Sequence, residues 1–123
     1  MKVFDLSVAR KALVQLAERR NDSLGAYNDS SIGIGRFVTG SSPWEKHNNG
    51  DELLIVTDGE VQIEVLEEDG TSWMNVLKEG QLFSVPRGKW HQLTAEENVT
   101  IMYISPPDEG AERQREHPLK RGT

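Results

Sequence analysis

The sequence predicts an all-β domain, an antiparallel sandwich or barrel fronted by one N-terminal helix. Three observations carry that prediction. From Glu52 to Ser105, short runs rich in Val, Ile, Leu and Thr recur at even spacing, each closed by a turn signal. Within them Val61, Ile63 and Val65 alternate with Glu60, Gln62 and Glu64, which gives one buried face and one wet face. A chain of 123 residues, 36% hydrophobic and 28% charged, fits one domain with a core of its own.

Composition removes several function classes. There is no cysteine, so disulfides, Cys-zinc sites, iron–sulfur clusters and Cys nucleophiles all fall away. A reducing, cytoplasmic setting fits that absence. Asp5 stands where a signal peptide would have its apolar stretch. No run approaches the roughly 18 apolar residues of a membrane span. The net charge of −6 repels a phosphate backbone overall. Arg19-Arg20 and Lys120-Arg121 are basic pairs too short to argue for nucleic acid. Neither a membrane nor a nucleic-acid partner is expected.

In chain order, residues 6 to 20 read as a helix. Leu6, Ala9, Leu13, Leu16 and Ala17 form one apolar stripe. Asp5 or Ser7 can cap its start, and Arg19 and Arg20 complement the dipole in its last turn. Residues 21 to 31 are polar and read as a loop. The run Ile32-Gly33-Ile34-Gly35-Arg36-Phe37-Val38 reads as a strand whose glycines allow close backbone approach. Leu53 to Thr57 is a short apolar strand, and Asp58-Gly59 after it is a hairpin signal. Glu67 to Gly70 is a second turn. Trp73 to Lys78, Gln81 to Val85, His91 to Thr94 and Val99 to Ser105 complete the strands. Pro106-Pro107 closes the fold. Residues 108 to 123 are nearly all polar, would be disordered alone, and are expected to be held by a partner or a neighbouring subunit. The divisions are therefore 1–31, helix and loop; 32–105, barrel; and 106–123, tail.

Two runs hold two of the three histidines: Trp44 to Glu52, and Gly80 to His91. Glu45 and His47 are two apart, so on a strand both point to one face. Gly50 permits the bend that lets Glu52 start the next strand. Pro86-x-Gly88 is turn chemistry that launches His91 on a neighbouring strand. Nitrogen and oxygen ligands converging inside a barrel can hold a divalent metal, and two imidazoles with carboxylates suit Fe, Mn, Ni or Zn.

Residues 32 to 105 resemble the cupin superfamily, small jelly-roll barrels. Gly80, Pro86, Gly88 and His91 fall at the spacing of its second motif, with Ala95 replacing the final Asn. Gly40, Glu45, His47, Glu52 and Gly59 line up with the first motif, with two departures. The gap after Gly40 is four residues instead of five, and Glu45 stands where the first His belongs. A competing register, with His47 first and Asn49 second, leaves too few residues before Glu52. Leu77 to His91 is also similar to the matching segment of mannose-6-phosphate isomerase-like cupins.

The resemblance implies an antiparallel jelly-roll barrel, a homodimer, and a metal held by Glu45, His47, Glu52 and His91. It also implies metal-dependent chemistry on a small polar molecule, such as a dioxygenase or an isomerase. Tyr103 is the candidate acid, base or orienter, and Trp44, Trp90 and Arg36 are candidates for the substrate pocket. Two alternatives stand beside this. One is a metal-free, sugar-like ligand binder in which Glu52 and His91 simply hydrogen-bond each other. The other is a barrel that has lost its site and serves in protein interaction.

Overall fold

A computed structural model describes residues 1–119. One helix, α1 (Leu6–Val14), precedes eleven strands. These are β1 (Arg20–Tyr27), β2 (Ser30–Phe37), β3 (Gly40–Ser41), β4 (Trp44–Lys46), β5 (Glu52–Asp58), β6 (Glu60–Leu66), β7 (Ser72–Lys78), β8 (Leu82–Val85), β9 (His91–Ala95), β10 (Val99–Ser105) and β11 (Glu112–Gln114). They form two antiparallel sheets, in the orders β1-β2-β10-β5-β8 and β11-β4-β9-β6-β7, with β3 paired to β9. The non-sequential order is that of a jelly-roll barrel. No helix among the described residues is long and apolar enough to cross a membrane.

The alternation in β6 sets the core. Val61, Ile63 and Val65 are buried, and meet Leu54, Val56, Leu77, Val85, Val99 and Ile101 between the sheets. Each such side chain contributes roughly 1.5–3 kcal/mol by leaving water. A smaller apolar contact lies outside the barrel. There α1 lies against β2 and β10, and Leu13 and Ile34 are fully buried.

Four expectations are corrected. First, the helix ends at Val14, not at residue 20. Asp5 caps its start by accepting the Val8 N–H at 3.0 Å, but Arg19 and Arg20 have left it. The chain turns because residues 20–27 find a better partner in β2, pairing from Arg20↔Arg36 to Tyr27↔Ser30. Second, the predicted loop over residues 21 to 31 is therefore mostly strand. Asn28 takes the left-handed conformation (φ 55°) in the turn between β1 and β2, a role asparagine tolerates.

Third, Asp58-Gly59 is not a hairpin. It is the corner where the chain leaves one sheet, as β5, and enters the other, as β6. Gly59 sits at φ 83°, and a Cβ there would come within 3.1 Å of the Asn98 carbonyl. β6 instead forms a hairpin with β7, through the turn in which Gly70 N–H donates to Glu67 O at 3.1 Å.

Fourth, the polar tail is held by its own chain. β11 adds to the edge of β4, with Arg113 opposite Glu45. Asn48 donates to the Gly110 carbonyl at 2.8 Å and Asn49 donates to that of Glu109. The helix and the tail thus both find contacts within their own chain. The Lys120-Arg121 pair lies outside the described residues.

Candidate metal centre

The two runs singled out in the sequence meet at the mouth of the barrel. Glu45, on β4, pairs directly with His91 at the start of β9. The turn before His91 is stapled to the loop after His47. Gly88 N–H donates to the His47 carbonyl at 2.8 Å, and Arg87 N–H donates to the Asp51 carboxylate at 2.7 Å. Gly88 accommodates this turn at φ 76°. Glu52 follows as the first residue of β5.

The side chains of Glu45, His47, Glu52 and His91 then converge, with one ligand atom of each within 4.8 Å of the others. His47 Nε2 lies 3.4 Å from Glu45 Oε2 and 3.4 Å from Glu52 Oε2. His91 Nε2 lies 3.4 Å from Glu52 Oε1. The two imidazole rings stand 5.4 Å apart. Ser105 Oγ donates to Glu52 Oε2 and fixes that carboxylate from behind. Arg113 Nε lies 3.6 Å from Glu45 Oε1, and its other end grips Asp108 at 2.6 Å.

Both ring nitrogens of His47 are buried; Nδ1 has no partner, and Nε2 has only the two long carboxylate contacts at 3.4 Å. A buried polar atom left without a partner costs roughly 1–3 kcal/mol. His91 Nδ1 lies 3.3 Å from the Lys89 carbonyl. A carbonyl only accepts, so Nδ1 donates to it and Nε2 is the nitrogen turned to Glu52. A cation between that nitrogen and Glu52 Oε1, which stand 3.4 Å apart, would be ligated by both. Ligands held at roughly 2.0–2.2 Å from one ion sit up to roughly 4.4 Å apart, so the observed cluster needs only a slight contraction. The residues fit a divalent metal.

Electrostatics agree. The Glu45 carboxylate, and then that of Glu52, push the His47 imidazole up to about 9 against the opposing effect of burial. Burial alone would raise Glu52. The contacts from His47, His91 and Ser105 hold it instead well below the ordinary carboxylate range. The cluster without metal is therefore a proton-holding ion network.

Beside it lies a cavity of about 360 Å³. Phe37, Leu54, Leu93 and Ile101 give it an apolar side, and Asn21 and Tyr103 a polar one. Tyr103, a sequence candidate, faces this space and donates its hydroxyl to Asn21 Oδ1. Burial pushes its phenol up, so it holds its proton. Gly33 lies directly beneath the Tyr103 ring and Gly35 beneath Phe37, where any Cβ would collide with the ring. A wider surface depression of about 540 Å³ beside Gly59 contains no histidine.

Three candidates for the pocket lie elsewhere. Trp44 is buried on the other face of β4, edge-on to His117 with ring centroids 5.0 Å apart. Trp90 faces outward under the Lys46 ammonium, 5.3 Å from its ring. Arg36 points to the helix side of its sheet, donating to the Leu16 carbonyl and to Thr100 Oγ1, each at 3.1 Å. Strand parity explains Trp44 and Arg36, since each neighbours an inward residue on its strand, whereas Trp90 lies in the turn before β9. The sequence reading missed Arg19, Asn21, Ser105, Asp108 and Arg113, which line the cavity.

The cupin domain family model matches residues 38–107. The uncharacterised protein YdbB of Bacillus subtilis is 32% identical over 72 residues, which are 58% of this chain and 59% of that protein. The chain thus spans under two thirds of the length of this curated relative. A cupin-2 domain protein from Shewanella frigidimarina superposes with TM-score 0.63 at 25% identity, over 85% of this chain and 94% of that one. Hydroquinone 1,2-dioxygenase from Sphingomonas, solved with 4-hydroxybenzoate bound, superposes with TM-score 0.64 at 19% identity, over 77% and 70% of the two chains. At that identity the likeness is one of fold.

Proposed function

The chain belongs to the cupin domain family, and from that premise we propose that it holds a divalent metal through Glu45, His47, Glu52 and His91 and acts on a small polar molecule in the adjoining cavity. One observation carries the reading: His47, buried with Nδ1 unpartnered, faces two carboxylates and a second imidazole at the wall of a 360 Å³ cavity. A metal bound there would supply Lewis-acid or redox chemistry at an open position. The chain's own groups do the rest. The Lys89 carbonyl orients the His91 ring through Nδ1, Ser105 orients Glu52, and Tyr103, whose hydroxyl proton goes to Asn21, presents its phenol oxygen to accept from a bound substrate. An oxygenase or isomerase suits this equipment.

The test is metal content by elemental mass spectrometry, on the wild type and on His91→Ala. Near-stoichiometric Fe, Mn, Ni or Zn, lost in the variant with the fold intact by circular dichroism, supports the centre. No metal in the wild type after reconstitution at neutral pH sinks it.

A second reading, a metal-free ligand-binding cupin, is favoured by the Arg113–Glu45 contact at 3.6 Å. In that case Glu45 serves an ion pair instead of a metal. The open cavity and the inward Glu45 speak against a barrel that has lost its site.

A further inference from the structure

We propose that the cavity selects a small carboxylic acid with an apolar body, and that Arg19 recognises its carboxylate. The proposal rests on the metal-centre reading and names the substrate class for that same site.

Arg19 lies just before β1, on the segment that also carries Asn21 into the cavity wall. Its guanidinium sits 5.5 Å over the Phe37 ring, which holds the flexible side chain at the cavity. The other arginines nearby are engaged. Arg113 grips Glu45 and Asp108, Arg36 grips Leu16 and Thr100, and Arg20 grips Asp22. Among the described residues no protein carboxylate or carbonyl accepts from Arg19, so its planar fork of donors remains available to a ligand. A guanidinium in this position matches a carboxylate through two parallel hydrogen bonds.

The charge balance points the same way. Among the residues lining the cavity, Arg19 and Arg113 carry two positive charges, while Glu45, Glu52 and Asp108 carry three negative ones. Counted with both imidazoles neutral, as ligation requires, these charges sum to −1, and a divalent ion turns this to +1, which one carboxylate neutralises. A chain of net charge −6 opposes an anion overall, so a bound metal strengthens affinity for the acid while Arg19 supplies the recognition with or without it. Phe37, Leu54, Leu93 and Ile101 form an apolar surface that a sugar would leave unmatched, and an aromatic or branched body would cover.

The test is calorimetric titration of benzoate and of its neutral isostere benzamide into metal-loaded wild type, Arg19→Gln and Arg19→Lys, with metal content measured on each sample. Benzoate is expected to bind at least tenfold tighter than benzamide. Arg19→Gln should weaken benzoate about tenfold while leaving benzamide affinity and metal content unchanged. Arg19→Lys should recover part of the loss. Equal benzoate affinity in wild type and Arg19→Gln overturns the proposal, as does benzamide binding as well as benzoate, or no benzoate binding at tens of millimolar. Wild type that takes up no metal sinks the metal-centre reading instead. The same comparison on the metal-free protein then decides Arg19 by the same criteria.

Discussion

Metal uptake at this centre should release a proton, and the pH at which it stops doing so is fixed by His47. The Glu45 carboxylate is the largest cause of the raised His47 pKa, which stands at about 9 against an ordinary value of 6.5. A metal ligand must be neutral imidazole. At pH 7 the metal-free protein lies about two units below that pKa, so roughly 1% of His47 is ready to bind. Two units correspond to about 2.7 kcal/mol, or a hundredfold loss of apparent affinity. Apparent Kd should therefore tighten about tenfold per pH unit between about 7 and 8.5, and level off above about 9.

Zinc titration against a chromophoric chelator, corrected for the chelator's own protonation, gives the slope. Calorimetry at pH 7.5 in two buffers of different ionisation enthalpy gives the proton count, expected near one per ion. Glu45→Gln removes the largest cause of the raised pKa, so the plateau should begin at lower pH and fewer protons should be released at 7.5. A flat affinity between pH 7 and 9, or no proton release, refutes the assignment of His47 as a charged ligand-in-waiting. The sign reverses for stability of the metal-free fold. His47, raised on folding, stabilises fully below pH 6.5, and that contribution fades as pH rises through about 9. Glu52, held low, stabilises above the ordinary carboxylate range and loses its contribution as pH falls.

Gly33→Ala should destabilise the protein by about 1–3 kcal/mol, because the new methyl overlaps the Tyr103 ring. Urea unfolding measures the loss, and a smaller loss in a Tyr103→Ala background would identify the ring as the cause. Truncation after Gly110 removes β11 and the contact of His117 with Trp44, so tryptophan emission should shift to the red as Trp44 meets water.

Much of the candidate site was legible because side chains that converge inside a barrel obey strand parity. Glu45 and His47 share a face at any register that keeps β4 a strand, and the Pro86–Gly88 turn brings His91 beside them. The same parity already placed Trp44 and Lys46 outward, so assigning Trp44 to the pocket overlooked information the sequence contained. Gly33 and Gly35 likewise marked the inward face of β2, which put Arg36 on the other side. Other parts were not legible locally. The β1 segment Arg20–Tyr27 has no clear alternation, since Gly25, Asn21 and Asp22 interrupt it, and its strand character comes from pairing with β2. Glu-Arg-Gln at 112–114 is too short and too polar to read as a strand until the free edge of β4 is known.

These two unread segments are the ones that close the cavity. The family match begins at residue 38 and ends at 107, and all four candidate ligands fall inside it. Arg19, Asn21, Asp108 and Arg113 line the same space and fall outside it. The barrel thus supplies a donor set that a cupin chain can hold regardless of substrate. The hairpin ahead of it and the strand behind it bring the charges and hydrogen-bond donors that a particular substrate would meet. Arg113 couples the two layers, because the strand that carries it into the mouth also sets it 3.6 Å from Glu45, the carboxylate in the position of the missing motif histidine. A glutamate there carries a charge that an imidazole would lack, and the arginine opposite offsets it. The negative charge at position 45 is thus offset from the tail: residues 112–114 return to the edge of its strand and bring a guanidinium with them.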